Sequence, residues 1–234
     1  MKLILSTIAL YFIAGLGLIQ AFDHSSFDQL LKQHVSLDGK VDYKGFQKNR
    51  KSFDQYLNQI QNVKSTADWS EKERLAFYIN AYNAFTIQLI LDHYPVKSIN
   101  EIAQPWDKKF FSLEGKKLSL NFLEHEILRK KFNEPRIHFA IVCASFSCPQ
   151  LRNEAFSADR LEIQLNEQTR KFLADPDKNI LSQEKAEISQ LFSWFKDDFS
   201  KKGSVIDFIN QYSEIKLTKK TKIKYLDYNW SLNE

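Results

Sequence analysis

Residues 70–93 read SEKERLAFYINAYNAFTIQLILDH. Ser70 followed three positions later by Glu73 is a capping box, in which each side chain satisfies a backbone N–H that a helix start leaves without a partner. Leu75, Tyr78, Ile79, Tyr82, Phe85, Leu89 and Ile90 then recur at helical spacing. Pro95 cannot continue the ladder. The spacing predicts a helix over about residues 71–93, the clearest element of the chain. Within it Asn80 and Asn83 lie one turn apart. Such amides can orient an imidazole or donate to an oxyanion in a binding or catalytic site, as in Cys-His-Asn enzymes. They equally tie buried helices to neighbouring backbone.

Working upstream, Phe27, Leu30 and Leu31 mark a helix over Ser25 to His34. Asp38-Gly39 marks a turn before a short strand candidate at Lys40 to Tyr43, and Phe53, Leu57 and Ile60 mark a further amphipathic helix. Working downstream, a helix is predicted over about Phe122 to Phe132. Ile137 to Cys143 is a nearly continuous apolar run of strand length, which reads as a buried strand. Ser145 to Leu151 is a loop with Pro149 in it. Ser157 caps another helix, with Phe156 and Leu161 as its hydrophobic staple. Ile188, Leu191, Phe192, Phe195 and Phe199 suggest one more helix, Ser204 with Asp207 opens the next, and Ile223 to Tyr228 is strand-like. Helix exceeds strand and the order is irregular. The expected class is α+β: a helix-rich single domain, residues 22–234, around a small sheet.

The chain of 234 residues carries 43% hydrophobic and 26% charged residues, ordinary values for a chain with a packed core. Residues 1–21, MKLILSTIALYFIAGLGLIQA, combine one Lys, a long apolar stretch and small residues before a cut after Ala21. This is the grammar of a signal peptide, so a secreted or periplasmic location is expected, with no membrane span after cleavage. The formal charge of +4 includes Lys2 of that leader. The remaining charge is small and dispersed, which argues against nucleic acid as a partner. No phosphate-binding Gly loop, His-Glu-x-x-His or Gly-x-Ser-x-Gly occurs, and the His, Cys and acidic residues show no metal-ligand spacing, so neither a metal nor a cofactor is expected.

Two segments can carry chemistry. In LSLNFLEHEILRKKF, residues 118–132, Leu120, Leu123, Ile127 and Leu128 share one helical face and Glu124 falls among them. A carboxylate there is costly unless partnered. His125 lies at the margin of the same face with Arg129 one turn on, so Glu124 and His125 form a candidate catalytic pair and Arg129 a candidate binding residue. In RIHFAIVCASFSCPQLR, residues 136–152, a regular strand would turn His138 away from Cys143 and leave it as a candidate binding residue. Cys143 ends the run. It is a candidate thiolate nucleophile with His125 as its base, one half of a Cys143–Cys148 disulfide, or an inert buried thiol.

Four segments, with Asp38-Gly39-Lys40-Val41-Asp42-Tyr43, resemble the family called domain of unknown function 547. They are Phe77-Tyr78-Ile79-Asn80-Ala81-Tyr82-Asn83-Ala84, Leu123-Glu124-His125-Glu126-Ile127-Leu128-Arg129, His138 to Ser145 with Ser147-Cys148-Pro149, and Tyr228-Asn229-Trp230-Ser231-Leu232-Asn233. The resemblance spans about Phe27 to Asn233. It implies that these motif residues belong together, and it implies no cofactor. Some relatives carry Ser where this chain has Cys148, which favours Cys143 for shared chemistry. The functional expectation is a cysteine-dependent hydrolase or acyltransferase acting on peptide or envelope amide bonds, in a papain-like or transglutaminase-like thiol-enzyme architecture. The alternative is a non-catalytic exported domain that binds a peptide-like or small-molecule ligand.

Overall fold

A computed structural model describes residues 22–234. The leader reading of residues 1–21 lies outside them. Helices α1 (Ser25–His34), α2 (Tyr43–Lys48) and α3 (Arg50–Gln61) pack around α4 (Glu71–His93). The capping box of Ser70 and Glu73 forms as read. α4 is buried on almost every side between Leu75 and Leu91, so it is a central helix with no solvent stripe. Upstream of it, the expected strand at Lys40 to Tyr43 is a single bridge from Val41 to Val35. Asp42 takes the Gly45 N–H and caps α2, so the chain turns helical at Tyr43.

A hairpin follows, β1 (Phe111–Leu113) paired antiparallel with β2 (Lys116–Leu118). Glu114 and Gly115 between them both have positive φ, as a two-residue hairpin turn requires. Residues Phe122–Leu128 wind as a π-helix, and Arg129–Lys131 add one α-helical turn, α5. The strand expected at Ile137 to Cys143 does not form. Pro135–Phe139 is a 3₁₀-helix opened by Pro135 and by Glu134, whose carboxylate accepts from the Arg136 N–H, and the chain then turns irregularly to Cys143. A short apolar run signals burial on all sides, and buried turns satisfy that signal as well as a strand does.

α6 (Leu161–Ala174) begins after Arg160 with no side-chain cap, so the Ser157 cap is not used. β3 (Ile180–Leu181) pairs antiparallel with β4 (Lys185–Ile188). The helix expected from Ile188 to Phe199 is divided: Ile188 closes β4, and α7 (Leu191–Trp194) and α8 (Lys196–Phe199) are separate turns broken at Phe195. α9 (Val205–Tyr212) carries the Ser204–Asp207 capping box, and β5 (Lys222–Tyr225) runs parallel to β4.

Two apolar clusters result. The larger surrounds α4, and the smaller gathers Phe172, Phe192, Phe199 and Phe208 around Phe139. Ile137 belongs to the first and Phe139 to the second, so the 3₁₀-helix joins them. The architecture is helix-rich α+β with a two-stranded and a three-stranded sheet among the described residues. It does not confirm a papain-like or transglutaminase-like arrangement. No helix among the described residues is long and apolar enough to cross a membrane.

The C-terminal segment straps the molecule. Asn233 donates to the Ala144 carbonyl, Phe146 N–H to Ser231, Ser147 N–H to Asn229 and Leu232 N–H to Lys97, while Val41 N–H donates to Asn233. Residues far apart in sequence are thereby held around the loop that follows Cys143.

Candidate functional site

The π-helix, the 3₁₀-helix, the loop after Cys143, α7 and the C-terminal strap enclose a cavity of about 210 Å³. Its walls are largely aromatic. Tyr228 and Trp230 lie 4.6 Å apart by ring centroid, Trp194 is 4.7 Å from Tyr228, and Trp106 meets Trp230 edge-on at 5.6 Å. Trp194 stands at the opening, 48% exposed.

Glu124 reaches this cavity from the π-helix, where a wide turn replaces the regular α-helical spacing; such turns often occur at functional sites. The residue is 8% exposed, as its position in an apolar face requires. The buried cation that would neutralise it is not its direct partner. The Tyr82 hydroxyl donates to its Oε2 at 3.1 Å instead. Burial pushes the carboxyl up to about 7, against smaller lowering by Tyr82 and Arg129.

Beside it runs a charged chain. Arg129 Nε donates to Asp198 Oδ2 at 2.6 Å, and its Nη1 donates to His125 Nδ1 at 2.7 Å. An imidazole that accepts at Nδ1 carries its proton on Nε2. Burial lowers the His125 pKa, and Arg129 lowers it further. His138, only 3% exposed, donates from Nε2 to the same Asp198 oxygen at 2.8 Å and stacks on Phe195. Burial keeps its pKa low despite that carboxylate. Burial alone would raise Asp198, but the bonds from His138 and Arg129 outweigh it and hold the carboxyl well below the usual range. Asp198 was not among the residues singled out by sequence: it lies in α8, 60 positions from His138, with no local signal.

Cys143 and Cys148 form a disulfide with Cα atoms 6.2 Å apart, within the reach a bridge needs. Of the three readings left open for Cys143, the structure holds the disulfide. The sulfur of Cys143 lies 3.2 Å from Ser145 Oγ and 3.4 Å from the Tyr228 hydroxyl, and the bond is turned into the cavity. Tyr228 is pushed up to about 12 by burial, so it stays a neutral phenol. Ala144, inside the loop, has φ of 60°, a conformation that disfavours side chains and is held here by the strap.

The sequence-derived candidates therefore separate. Glu124, His125, His138 and Cys143 share the cavity, and the strand argument that turned His138 away lapses with the strand itself. His125 makes no hydrogen bond to Cys143 sulfur. Arg129 sits behind the wall and holds Asp198 and His125 in place. Asn80 and Asn83 are corrected from binding to structural residues. Asn80 exchanges bonds of 2.8 and 2.9 Å with the backbone of Phe156, and Asn83 joins the Ala140 carbonyl to the Val142 N–H at 2.9 Å each. Each amide spends its nitrogen and its oxygen on backbone groups. Tyr82 and Phe195 were missed as site residues because aromatics at helical spacing look like core, and Trp106, in a turn, and Trp194 carried no local signal.

Fold and cavity define an α+β protein with one aromatic pocket in which a high-pKa carboxyl, two neutral imidazoles and a disulfide meet. Residues 66–173 match the family described as Protein of unknown function, DUF547, in accord with the resemblance carried by the motifs. Glu124, His125, His138 and both cysteines fall inside the match, while Asp198, Tyr228 and Trp230 fall outside it. No curated protein and no solved structure matches the chain significantly.

Proposed function

We propose that the chain is an exported ligand-binding domain whose site is the aromatic cavity. One observation carries this reading: a buried carboxyl with a spare oxygen opens into a pocket walled by Trp and Tyr. Concave, mainly apolar sites with few convergent polar groups are the usual form of small-molecule sites. The ligand has an apolar body for the aromatic wall and one hydrogen-bonding group for Glu124. Export accords with the leader at residues 1–21 and with a disulfide, which persists in oxidising compartments. Titration with 2-phenylethanol as probe, followed by tryptophan fluorescence, tests the reading. A saturable change is expected, weakened about tenfold by Trp194→Ala through loss of aromatic contact. Absence of any saturable change with this alcohol and with its charged analogues would sink it.

A thiol hydrolase or acyltransferase is the second reading, supported by the cavity that Cys143 shares with His125 and His138. It requires reduction of the disulfide, which frees Cys143 beside the hydroxyls of Ser145 and Tyr228. After reduction, iodoacetamide should then modify Cys143 faster than a simple thiol at pH 6, and His125→Ala should slow it. An unreactive Cys143 in the reduced, folded protein removes this reading.

A further inference from the structure

We propose that the ligand of the aromatic cavity is an organic cation, an ammonium group on an apolar body, with its nitrogen against Glu124 and its body against the tryptophan wall. The proposal rests on the binding-domain reading and names its ligand class.

The argument starts from the lining. Among the described residues Glu124 is the one carboxylate in the cavity wall, and none of their Lys or Arg side chains lines it. Oε2 of Glu124 accepts from Tyr82, whereas Oε1 has no hydrogen-bond partner among the described residues and is not among their fully enclosed unpartnered atoms. It therefore faces the free space of the cavity. Leu or Ile would fit the apolar face better than Glu, and keeping a carboxyl there without a cation is costly. A donor entering through the cavity supplies what the fold withholds.

Arg129 cannot take that part. Its guanidinium is bonded to Asp198 and His125 and lies over the Phe195 ring at 4.9 Å. An anionic ligand would find no free basic side chain in the wall among the described residues, and would meet Glu124 across a small space. The π faces of Trp106, Trp194, Trp230 and Tyr228 instead attract a cation, Trp most strongly.

The charged and titratable groups around Glu124 set the pH dependence. Tyr82 faces it from α4, and His125 and Arg129 from its own stretch. Asp198 belongs to α8, His138 to the 3₁₀-helix and Tyr228 to the strap. Both tyrosines are raised, so they stay neutral. Arg129 and Asp198 are paired. Both imidazoles are held below their ordinary range. Glu124 is thus the group that changes charge near neutrality. Below that point, binding an ammonium ion displaces the carboxyl proton to solvent: the neutral acid and the cation become an ion pair and one released proton. Affinity for a cation consequently rises with pH while the amine stays protonated.

The test compares 2-phenylethylammonium with the neutral 2-phenylethanol and with phenylacetate, by tryptophan fluorescence of the wild-type protein at pH 5.5 and 8. The ammonium ion is expected to bind about tenfold more tightly than the alcohol at pH 8, as a charge-assisted contact should, with the preference shrinking at pH 5.5. Glu124→Gln, which keeps the shape and is checked for folding by circular dichroism, should bring the ammonium ion down to the level of the alcohol. If Gln at this position prevents folding, the pH dependence of the wild-type preference decides alone. An ammonium ion that binds no better than the alcohol at pH 8, or a preference that survives in Glu124→Gln, overturns the cation proposal and leaves the pocket reading intact. Tighter binding of phenylacetate overturns it in the same way. If none of the three binds, the binding-domain reading falls and takes the proposal with it.

Discussion

Glu124 shows how one residue can be legible in part. Its place in an apolar face predicted burial, and burial is what the structure holds. Its partner was not legible, because Tyr82 comes from a helix 42 positions earlier. The raised pKa has a consequence for stability. A carboxyl at about 7 in the folded chain and near 4.5 when exposed binds its proton more tightly when folded, so the group favours folding most at low pH. That contribution is lost as pH rises from about 4.5 through 7, by up to about 3 kcal/mol. His24, His125 and His138, whose pKa values burial lowers, act in the opposite sense over the same range. The Glu124 share is therefore read as a difference: on going from pH 5 to pH 8 in urea unfolding, the wild type should lose stability relative to Glu124→Gln. Asn83 gives a second residue-scale prediction. Asn83→Ala leaves the Val142 N–H and the Ala140 carbonyl without the amide, and two buried unsatisfied groups cost about 3 kcal/mol together. Chemical denaturation should register a loss of that size. A change under about 0.5 kcal/mol, the size of an ordinary surface substitution, would contradict the assignment. The Asn pair was visible in FYINAYNAF, but whether it served a ligand or the backbone depended on what lay opposite.

Elements with their own punctuation were the readable ones. The capping boxes at Ser70 and Ser204 formed as expected, because both partners lie within three residues. The run at Ile137 to Cys143 was misread, since apolarity without periodicity records burial and not conformation. The Cys143–Cys148 loop is an element whose closure can be weighed. A loop this short yields about 2 kcal/mol in the chain-entropy account. Reduction by dithiothreitol should lower the denaturation midpoint accordingly with far-ultraviolet circular dichroism retained, and wholesale unfolding on reduction would contradict it. The strap is the other element at stake. Deleting Tyr228 to Glu234 removes the backbone bonds to Ala144, Phe146, Ser147 and Lys97 and two aromatic walls of the cavity. The melting temperature should fall by more than about 5 °C, since each kcal/mol moves a chain of this size by about 2–4 °C. An unchanged melting curve would refute the strap.

At the scale of the whole molecule, the 3₁₀-helix joins two apolar clusters, with Ile137 in one and Phe139 in the other. His138 between them is bonded to Asp198 of α8. Residues 22–234 are therefore expected to unfold as one unit: tryptophan fluorescence and far-ultraviolet circular dichroism should give coincident transitions, and two separated midpoints would show independent units. The sequence by itself determined what depends on near neighbours: the long central helix, the capping boxes, the helix-rich α+β class, the family motifs and the burial of Glu124. It also brought the two cysteines within five positions of one another, so that a bridge was an open choice. Only the tertiary structure decided the choices that depend on distant partners. It turned the apolar run into buried turns, bonded Asn80 and Asn83 to backbone, and carried Asp198 to His138. It folded Trp194, Tyr228 and Trp230 over Glu124 and closed the disulfide. The reason is physical: backbone periodicity and capping are set within one or two turns of chain, whereas the partner of a buried polar group is set by packing across the whole molecule.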